Sequence, residues 1–304
     1  MPETPIALLE DPSVAALVGE VPGLTVLSGA QPAEVLARVE IYVPRFLADG
    51  PATDVMAGLT GLKLLQLATA GAEAWIGQAP AGVTMATARG AHGKATAEWA
   101  VGALVAVLRE FPGFATAQRE HRWTQHRTDM LDGRRALVLG AGDLGTEVRG
   151  RLEAFGVSVT MVARTARDGV RSIDDLPGLL PDHDVVVLMV PLTEATTGLV
   201  DADFLAAMPD GAVLVNAARG KVVDTDALVA ELSAGRLRAA LDVTEPEPLP
   251  AGHPLWDLPG VFTTPHVGGS TSGAAERAAA VVRAQLQRYV AGEELLNVVS
   301  GAGY

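Results

Sequence analysis

Short apolar runs alternate with helix-like segments through the first third of the chain. The runs lie at residues 6–9, 26–27, 41–43, 62–67 and 83–87. A segment between two of them, 33–39, has the residue spacing of a helix. Strands that alternate with helices are typical of parallel sheets, so the pattern predicts a small α/β domain.

A second series of apolar runs follows a helical stretch at 96–109 that is apolar on all sides, as expected of a helix buried between domains or subunits. Another helical stretch is predicted at 113–121. Near-continuous Val and Leu runs indicate strands covered on both faces, and therefore a parallel sheet between two layers of helices. These runs lie at 136–139, 157–162, 185–190, 212–216, 237–243 and 261–264.

Two more helices complete the predicted organisation. One spans 226–234, with Asp224 or Thr225 as its cap and Gly235 as its stop. The other, 272–290, is long enough to return to the first domain. We therefore predict a discontinuous domain, made of 1–95 plus 276–304, that is interrupted in sequence by a second domain over 96–275.

One apolar run breaks directly into a Gly-x-Gly-x-x-Gly turn. The run at 136–139 leads into Gly140, Gly142 and Gly145, and a predicted helix over 146–155 follows. The first two glycines allow a sharp turn and the close approach of a diphosphate, and the third lets the helix pack on the strand. Although such a turn can occur without a ligand, its strand–turn–helix context favours a dinucleotide site.

Composition and charge narrow the classes of function. The 304 residues are 49% hydrophobic and 19% charged, which is typical of a folded domain pair. A net charge of −13 disfavours nucleic acid, and the absence of Cys excludes disulfides, thiolate metal sites and Cys nucleophiles. No run approaches the ~18 apolar residues of a membrane span. The start lacks the features of a signal peptide, so we expect a cytoplasmic protein. We also predict no metal site.

Four polar side chains follow predicted strands of the second domain. Arg219 follows one strand, Glu245 and Glu247 follow the next, and His266 follows the last. Ligands of open parallel sheets bind beyond the carboxyl ends of the strands. There, a guanidinium can hold a substrate carboxylate, an imidazolium can donate a proton to a carbonyl, and a carboxylate can keep the imidazolium charged. Each residue alone could be an ordinary surface residue, but together they indicate hydride chemistry on a carbonyl.

Several motifs carry a family resemblance over nearly the whole chain. They are Val190-Pro191-Leu192-Thr193, Leu214-Val215-Asn216-Ala217-Ala218-Arg219-Gly220, Leu241-Asp242-Val243 with Glu247-Pro248, and Thr264-Pro265-His266-Val267-Gly268-Gly269. In this combination the chain resembles the D-isomer-specific 2-hydroxyacid dehydrogenase family. The resemblance implies a Rossmann domain inserted into a flavodoxin-like substrate domain and an active site in the cleft. It also implies a homodimer built on the Rossmann domain and the helix near Thr96.

The resemblance also assigns roles residue by residue. It implies that His266 is the acid/base, that Glu247 rather than Glu245 is its carboxylate partner, and that Arg219 binds the substrate carboxylate and carbonyl. A backbone clamp on that carboxylate matches Ala70, Gly71 and Ala72, and Asp242 would lie near the nicotinamide carboxamide. The cofactor contacts implied are Gly140, Gly142, Asp143, Leu144, Gly145, Arg164, Thr165, Val190, Pro191, Thr196, Ala217, Ala218, Arg219, Asp242, His266 and Gly268.

Two positions depart from the family pattern. Where NAD-using members carry an Asp for the ribose hydroxyls, this chain has Ala163 followed by Arg164 and Thr165, with Arg167 within reach. A guanidinium there suits a 2′-phosphate, so we expect NADP, with NADPH preferred over NADH. Asp143 occupies a place in the glycine turn that is often basic, and a carboxylate adds nothing favourable toward a diphosphate.

The expected activity is reduction of a small 2-oxoacid, such as glyoxylate or hydroxypyruvate, to a D-2-hydroxyacid. The alternative is a dinucleotide-sensing binding protein on the same fold, as in corepressors related to the family. Arg219, Glu247 and His266 weigh against that alternative. Formate dehydrogenases resemble the chain at Arg and His, but they carry Gln in place of the acid.

Overall fold

The computed structural model describes residues 4–45 and 53–299, which form two compact units. The first unit comprises Met1–His92 with Ser272–Tyr304, and the second comprises Gly93–Thr271. The domain limits predicted from the sequence, 95/96 and 275/276, lie within a few residues of these limits. Each unit contains one parallel sheet with helices, which agrees with the predicted pairing of a Rossmann domain and a flavodoxin-like domain.

The first unit contains a five-stranded parallel sheet in the order β2-β1-β3-β4-β5. Its strands are β1 (Ile6–Leu9), β2 (Thr25–Ser28), β3 (Val39–Val43), β4 (Leu64–Gln66) and β5 (Thr84–Ala86). Its helices are α1 (Pro12–Val18), α2 (Ala33–Leu36), α3 (Thr53–Gly58) and, from the end of the chain, α10 (Ala274–Ala291).

Alternate side chains of this sheet enter two separate cores. Ala7 and Leu9 of β1 pack into the core that α1 and α10 cover, whereas Ile6 and Leu8 enter the core on the other face. Residues from the end of the chain therefore complete this unit, as the length of the last predicted helix indicates.

The second unit contains a seven-stranded parallel sheet in the order β12-β11-β10-β9-β6-β7-β8. Its strands are β6 (Arg135–Leu139), β7 (Ser158–Ala163), β8 (Val170–Ser172), β9 (Val185–Leu188), β10 (Val213–Asn216), β11 (Arg238–Leu241) and β12 (Val261–Thr263). Its helices are α4 (Gly93–Leu108), α5 (Phe111–Arg119), α6 (Asp143–Ala154), α7 (Leu176–Leu179), α8 (Ala202–Ala207) and α9 (Thr225–Ser233).

Both faces of this sheet are covered, as the near-continuous apolar runs predict. Leu137 and Leu139 of β6 belong to one core, and Ala136 and Val138 belong to the other, into which α4 packs. The strand order changes direction between β6 and β9, because β7 lies on the opposite side of β6. Such a switch point opens a crevice beyond the carboxyl ends of the strands, where ligands of doubly wound sheets bind.

The structure differs from the sequence prediction in several short elements. The helix predicted over 33–39 ends at Leu36, because Val39 already begins β3. Helix α1 was not predicted, although Asp11 accepts a hydrogen bond from the Ser13 amide and Pro12 occupies the first turn, a typical start signal. Strand β8 was also missed, since three residues are too few to show a periodicity.

Within the described residues, no single helix is both long and apolar enough to cross a membrane. Helices α4 and α5 taken together meet that length and composition, and the two helices are bent by 65° at their junction.

Candidate active site

The residues predicted to carry chemistry in the second unit follow neighbouring strands. The glycine turn follows β6, Arg164 follows β7, and Arg219 follows β10. Asp242 and Glu247 follow β11, and His266 follows β12. Because all the strands are parallel, these segments lie along one edge of the sheet on both sides of the switch point.

At two of the three glycine positions in the turn, a side chain would clash with the backbone. A Cβ on Gly140, which has φ of +108°, would lie 2.3 Å from the carbonyl oxygen of Met189. A Cβ on Gly145 would lie 1.7 Å from the carbonyl oxygen of Gly140, so only glycine lets α6 pack on β6. Gly142, by contrast, would direct a Cβ into open space.

The glycine turn fits the diphosphate of a dinucleotide. Gly142 caps α6, and the amide N–H groups of the first helical turn, including that of Leu144, have no partner within the helix. A 12-residue helix also carries a partial positive charge at its start, which favours an anion. The open space at Gly142 is where the backbone can approach the diphosphate closely. The residues present therefore fit a dinucleotide.

The segment after β9 forms a turn that its own hydroxyl groups hold in place. Thr196 Oγ1 donates a hydrogen bond to the Pro191 carbonyl oxygen at 2.7 Å and accepts one from the Thr193 amide at 2.8 Å. Val190 is half-buried against the core on one face of the sheet. The predicted contacts Val190, Pro191 and Thr196 thus belong to one ordered turn beside the switch point.

Two arginines follow β7, where cofactor choice is expected to be made. Arg164 and Thr165 are exposed directly after Ala163. Arg167 donates a hydrogen bond from Nη2 to the Ala141 carbonyl oxygen at 2.8 Å. This contact holds one guanidinium against the glycine turn and leaves Arg164 beside it on the same loop.

The loop after β10 is shaped by a buried amide side chain. Asn216 is 1% exposed, its Oδ1 accepts a hydrogen bond from the Ala218 amide at 3.0 Å, and its Nδ2 donates one to the Arg219 carbonyl oxygen at 3.0 Å. Arg219 is half-buried, and its Nη1 donates a hydrogen bond to the Ala218 carbonyl oxygen at 2.6 Å. Asn216 therefore fixes the backbone of Ala217, Ala218 and Arg219, a role that the sequence interpretation did not assign.

Asp242 organises the loop that presents His266. Its side chain is 3% exposed and accepts three hydrogen bonds, from Thr264 Oγ1 at 2.6 Å and from the amides of Val267 and Gly268 at 2.8 and 2.7 Å. The Asp242 carbonyl oxygen accepts a fourth, from the His266 amide, at 2.8 Å. These hydrogen bonds fix the loop that carries His266. We therefore assign Asp242 the role of positioning this loop, in addition to its predicted proximity to the nicotinamide.

His266 is presented by an unusual backbone conformation. Its φ of 54° is left-handed, which is rare for a residue with a Cβ and marks a constrained position. Gly268, two residues after His266, has no room for a side chain, since a Cβ would lie 2.8 Å from Asp242 Oδ2. Both features keep the loop close around the Asp242 carboxylate.

The structure pairs His266 with one of the two candidate carboxylates. His266 Nδ1 lies 2.6 Å from Glu247 Oε1, and the two side chains are 43% and 40% exposed. The described contacts of Glu245 are different, since its carbonyl oxygen accepts a hydrogen bond from Thr225 Oγ1 at 2.8 Å. With Nδ1 held by the carboxylate, Nε2 is the ring nitrogen left to exchange a proton with a ligand.

The predicted substrate clamp lies in the first unit. Ala70, Gly71 and Ala72 follow β4, and Thr69 Oγ1 donates a hydrogen bond to the Gly71 carbonyl oxygen at 2.8 Å. Ala72 is fully buried and precedes a short 3-10 turn, Glu73–Trp75. The position at a strand end suits a binding loop, and its role stays a prediction.

Comparison with known proteins identifies the family. Residues 101–268 match the family model for the NAD binding domain of D-isomer specific 2-hydroxyacid dehydrogenases. D-3-phosphoglycerate dehydrogenase of Mycobacterium bovis is 32% identical over 98% of this chain. The match covers 59% of that relative, so the chain spans less than two thirds of its length.

Solved structures match over almost the whole chain. A D-isomer specific 2-hydroxyacid dehydrogenase from Xanthobacter autotrophicus Py2, in complex with NADPH and MES, has a TM-score of 0.83 and 31% identity, with 98% of each chain covered. An NADPH-dependent glyoxylate/hydroxypyruvate reductase from Sinorhizobium meliloti, in complex with NADP and sulfate, has a TM-score of 0.84 and 27% identity, with 99% of this chain and 100% of that one covered.

Proposed function

We propose that this chain, which belongs to the D-isomer specific 2-hydroxyacid dehydrogenase family, reduces a small 2-oxoacid to a D-2-hydroxyacid with NADPH. The observation that carries the proposal is the His266–Glu247 pair on the same sheet edge as the glycine turn. An imidazole N–H beside a dinucleotide site can complete a hydride transfer, because it can donate the proton that the reduced oxygen requires.

When bound, the nicotinamide supplies the hydride that adds to the carbonyl carbon. His266 donates the Nε2 proton to the carbonyl oxygen, so that the C=O double bond becomes an alcohol. Glu247 contacts Nδ1 and orients the ring, so that Nε2 is directed to the substrate. Arg219 holds the substrate carboxylate and polarises the carbonyl.

The substrate class can be tested directly by turnover. We expect NADPH oxidation with a panel of 2-oxoacids of increasing size, from glyoxylate and hydroxypyruvate to phenylpyruvate, and a D-configured product by chiral analysis. Phosphohydroxypyruvate belongs in the panel because the relative named above is a phosphoglycerate dehydrogenase. Dinucleotide binding without turnover of any member would instead support the sensing protein, and formate oxidation with NAD would support a formate dehydrogenase.

We also propose a homodimer that uses the segment between α5 and β6. Trp123 in this segment is 94% exposed, and Met130 is 58% exposed. The segment is nevertheless anchored, because the His126 ring stacks on Phe114 with centroids 4.9 Å apart and its Nε2 lies 2.9 Å from Glu110 Oε2. An anchored segment with an exposed tryptophan is suited to contact a protein partner. The family resemblance implies that this partner is a second copy of this chain.

Replacing Trp123 with Glu is expected to convert the dimer into a monomer, since a charge would be placed in the buried centre of the interface. The molar mass by light scattering after gel filtration measures this change. Trp256, which is 50% exposed in another part of the unit, provides the matched control as Trp256→Glu. Dimerisation that persists in the Trp123 variant would rule out this segment as the interface.

A further inference from the structure

A carboxylate lies inside the glycine turn and is directed at the start of a second helix. Asp143 is the first residue of α6. Its Oδ2 is buried and has no hydrogen-bond partner within the described part of the chain. A Cβ built on Gly93, the first residue of α4, would lie 2.3 Å from this oxygen and 3.0 Å from the carboxyl carbon. Only the absence of a side chain at Gly93 leaves room for the carboxylate.

The Asp143 carboxylate lies close to the N-terminal ends of two helices, α4 and α6. Helix α4 has 16 residues and α6 has 12, and the two helices pack against each other. Each start carries a partial positive charge from its unpaired N–H groups, and that charge attracts anions. An oxygen without a hydrogen-bond partner does not act as a helix cap, so Asp143 acts here through its charge. The same positive region has to attract the cofactor diphosphate.

We propose that Asp143 is an affinity-determining residue that weakens the binding of dinucleotides by opposing their diphosphate. The negative carboxylate offsets the positive potential of the two helix starts, and it repels the phosphates that approach the same turn. The effect falls equally on NADH and NADPH, because both carry the diphosphate. The inference rests on the proposed function only in requiring that the glycine turn binds a dinucleotide.

The test is the dissociation constant of the native chain and of Asp143→Asn, which keeps the shape and removes the charge. We expect the variant to bind NADPH, NADH and ADP roughly three- to tenfold more tightly, as the removal of one nearby like charge predicts. Adenosine, which lacks phosphate, should bind the two proteins equally. Isothermal titration or quenching of protein fluorescence measures these constants without turnover.

Ionic strength and a more distant carboxylate, Glu153, provide two controls. The gain should shrink as salt rises from about 0.01 M to about 1 M, because the screening length falls from about 30 Å to about 3 Å. Glu153→Gln removes the same charge from an exposed site on α6, ten residues or about 15 Å further along the helix, and should leave the constants unchanged. Asp143→Ser serves if the Asn variant folds poorly.

The outcomes separate the two proposals. If the native chain binds ADP and neither Asp143 variant binds it more tightly, Asp143 does not oppose the cofactor and this inference is wrong. The same holds if adenosine gains as much as ADP does. If no dinucleotide binds the native chain, the proposed function is wrong together with the inference. Tighter ADP binding by the Asp143 variants without 2-oxoacid turnover would support the inference about Asp143 and contradict only the proposed reaction.

Discussion

His266→Ala is expected to lower the rate of 2-oxoacid reduction by about 10² to 10⁴, the range typical of a lost general acid. In the proposed mechanism the substitution removes the group that gives a proton to the carbonyl oxygen. The glycine turn, where the diphosphate is proposed to bind, remains. The loss should therefore occur mainly in kcat, with a much smaller change in the dissociation constant of NADPH. Steady-state kinetics and a binding titration on the same preparation measure the two quantities.

The Glu247→Gln variant tests whether this carboxylate positions the proton donor. Glu247 Oε1 lies 2.6 Å from Nδ1 and holds the imidazole ring in one orientation. The variant should therefore lower kcat for 2-oxoacid reduction, while the dissociation constant of NADPH stays nearly constant. Glu245→Gln is the matched control, because the described contacts of Glu245 do not include the imidazole.

Two results would contradict this assignment. An unchanged kcat in Glu247→Gln together with a lowered kcat in Glu245→Gln would mean that the other carboxylate partners the histidine. Full activity of His266→Ala with a normal 2-oxoacid would mean that the proton comes from elsewhere, and that the ion pair only stabilises the loop.

The sequence could predict those parts of the site that depend on local pattern. The spacing of Gly140, Gly142 and Gly145 after an apolar run predicts a strand–turn–helix unit. The structure shows the close contacts that require glycine at the first and third positions. The alignment of Arg219 and His266 along one sheet edge follows from parallel strands, whose ends meet on one side.

Roles that depend on long-range contacts could not be predicted in the same way. Asp242 accepts hydrogen bonds from Thr264, Val267 and Gly268, which lie more than twenty residues away, and no periodicity reports such contacts. The proximity of Asp143 to Gly93 joins residues fifty positions apart. The sequence indicated only that a carboxylate at this point adds nothing favourable toward a diphosphate. The packing of α4 on α6 explains where the carboxylate is accommodated.

Cofactor choice provides the second large prediction. We expect NADPH to exceed NADH in kcat/KM by roughly ten- to a hundredfold, which corresponds to one charge-assisted contact of about 1.5–3 kcal/mol. Ala163 removes the carboxylate that would repel a 2′-phosphate, and Arg164 follows with an exposed guanidinium. Arg167, held by the Ala141 carbonyl oxygen, adds a second positive charge near the turn.

Arg164→Ala should reduce this preference, mainly through a higher KM for NADPH, while the KM for NADH stays nearly constant. Arg149→Ala is the control, because it removes an exposed arginine that is already paired with Glu153 on α6. An effect on both cofactors alike would indicate a general contact with the dinucleotide rather than recognition of the 2′-phosphate. Equal efficiency of the native chain with NADH and NADPH would contradict the assignment, because it would mean that solvent screens the exposed guanidinium too strongly for it to discriminate between the two.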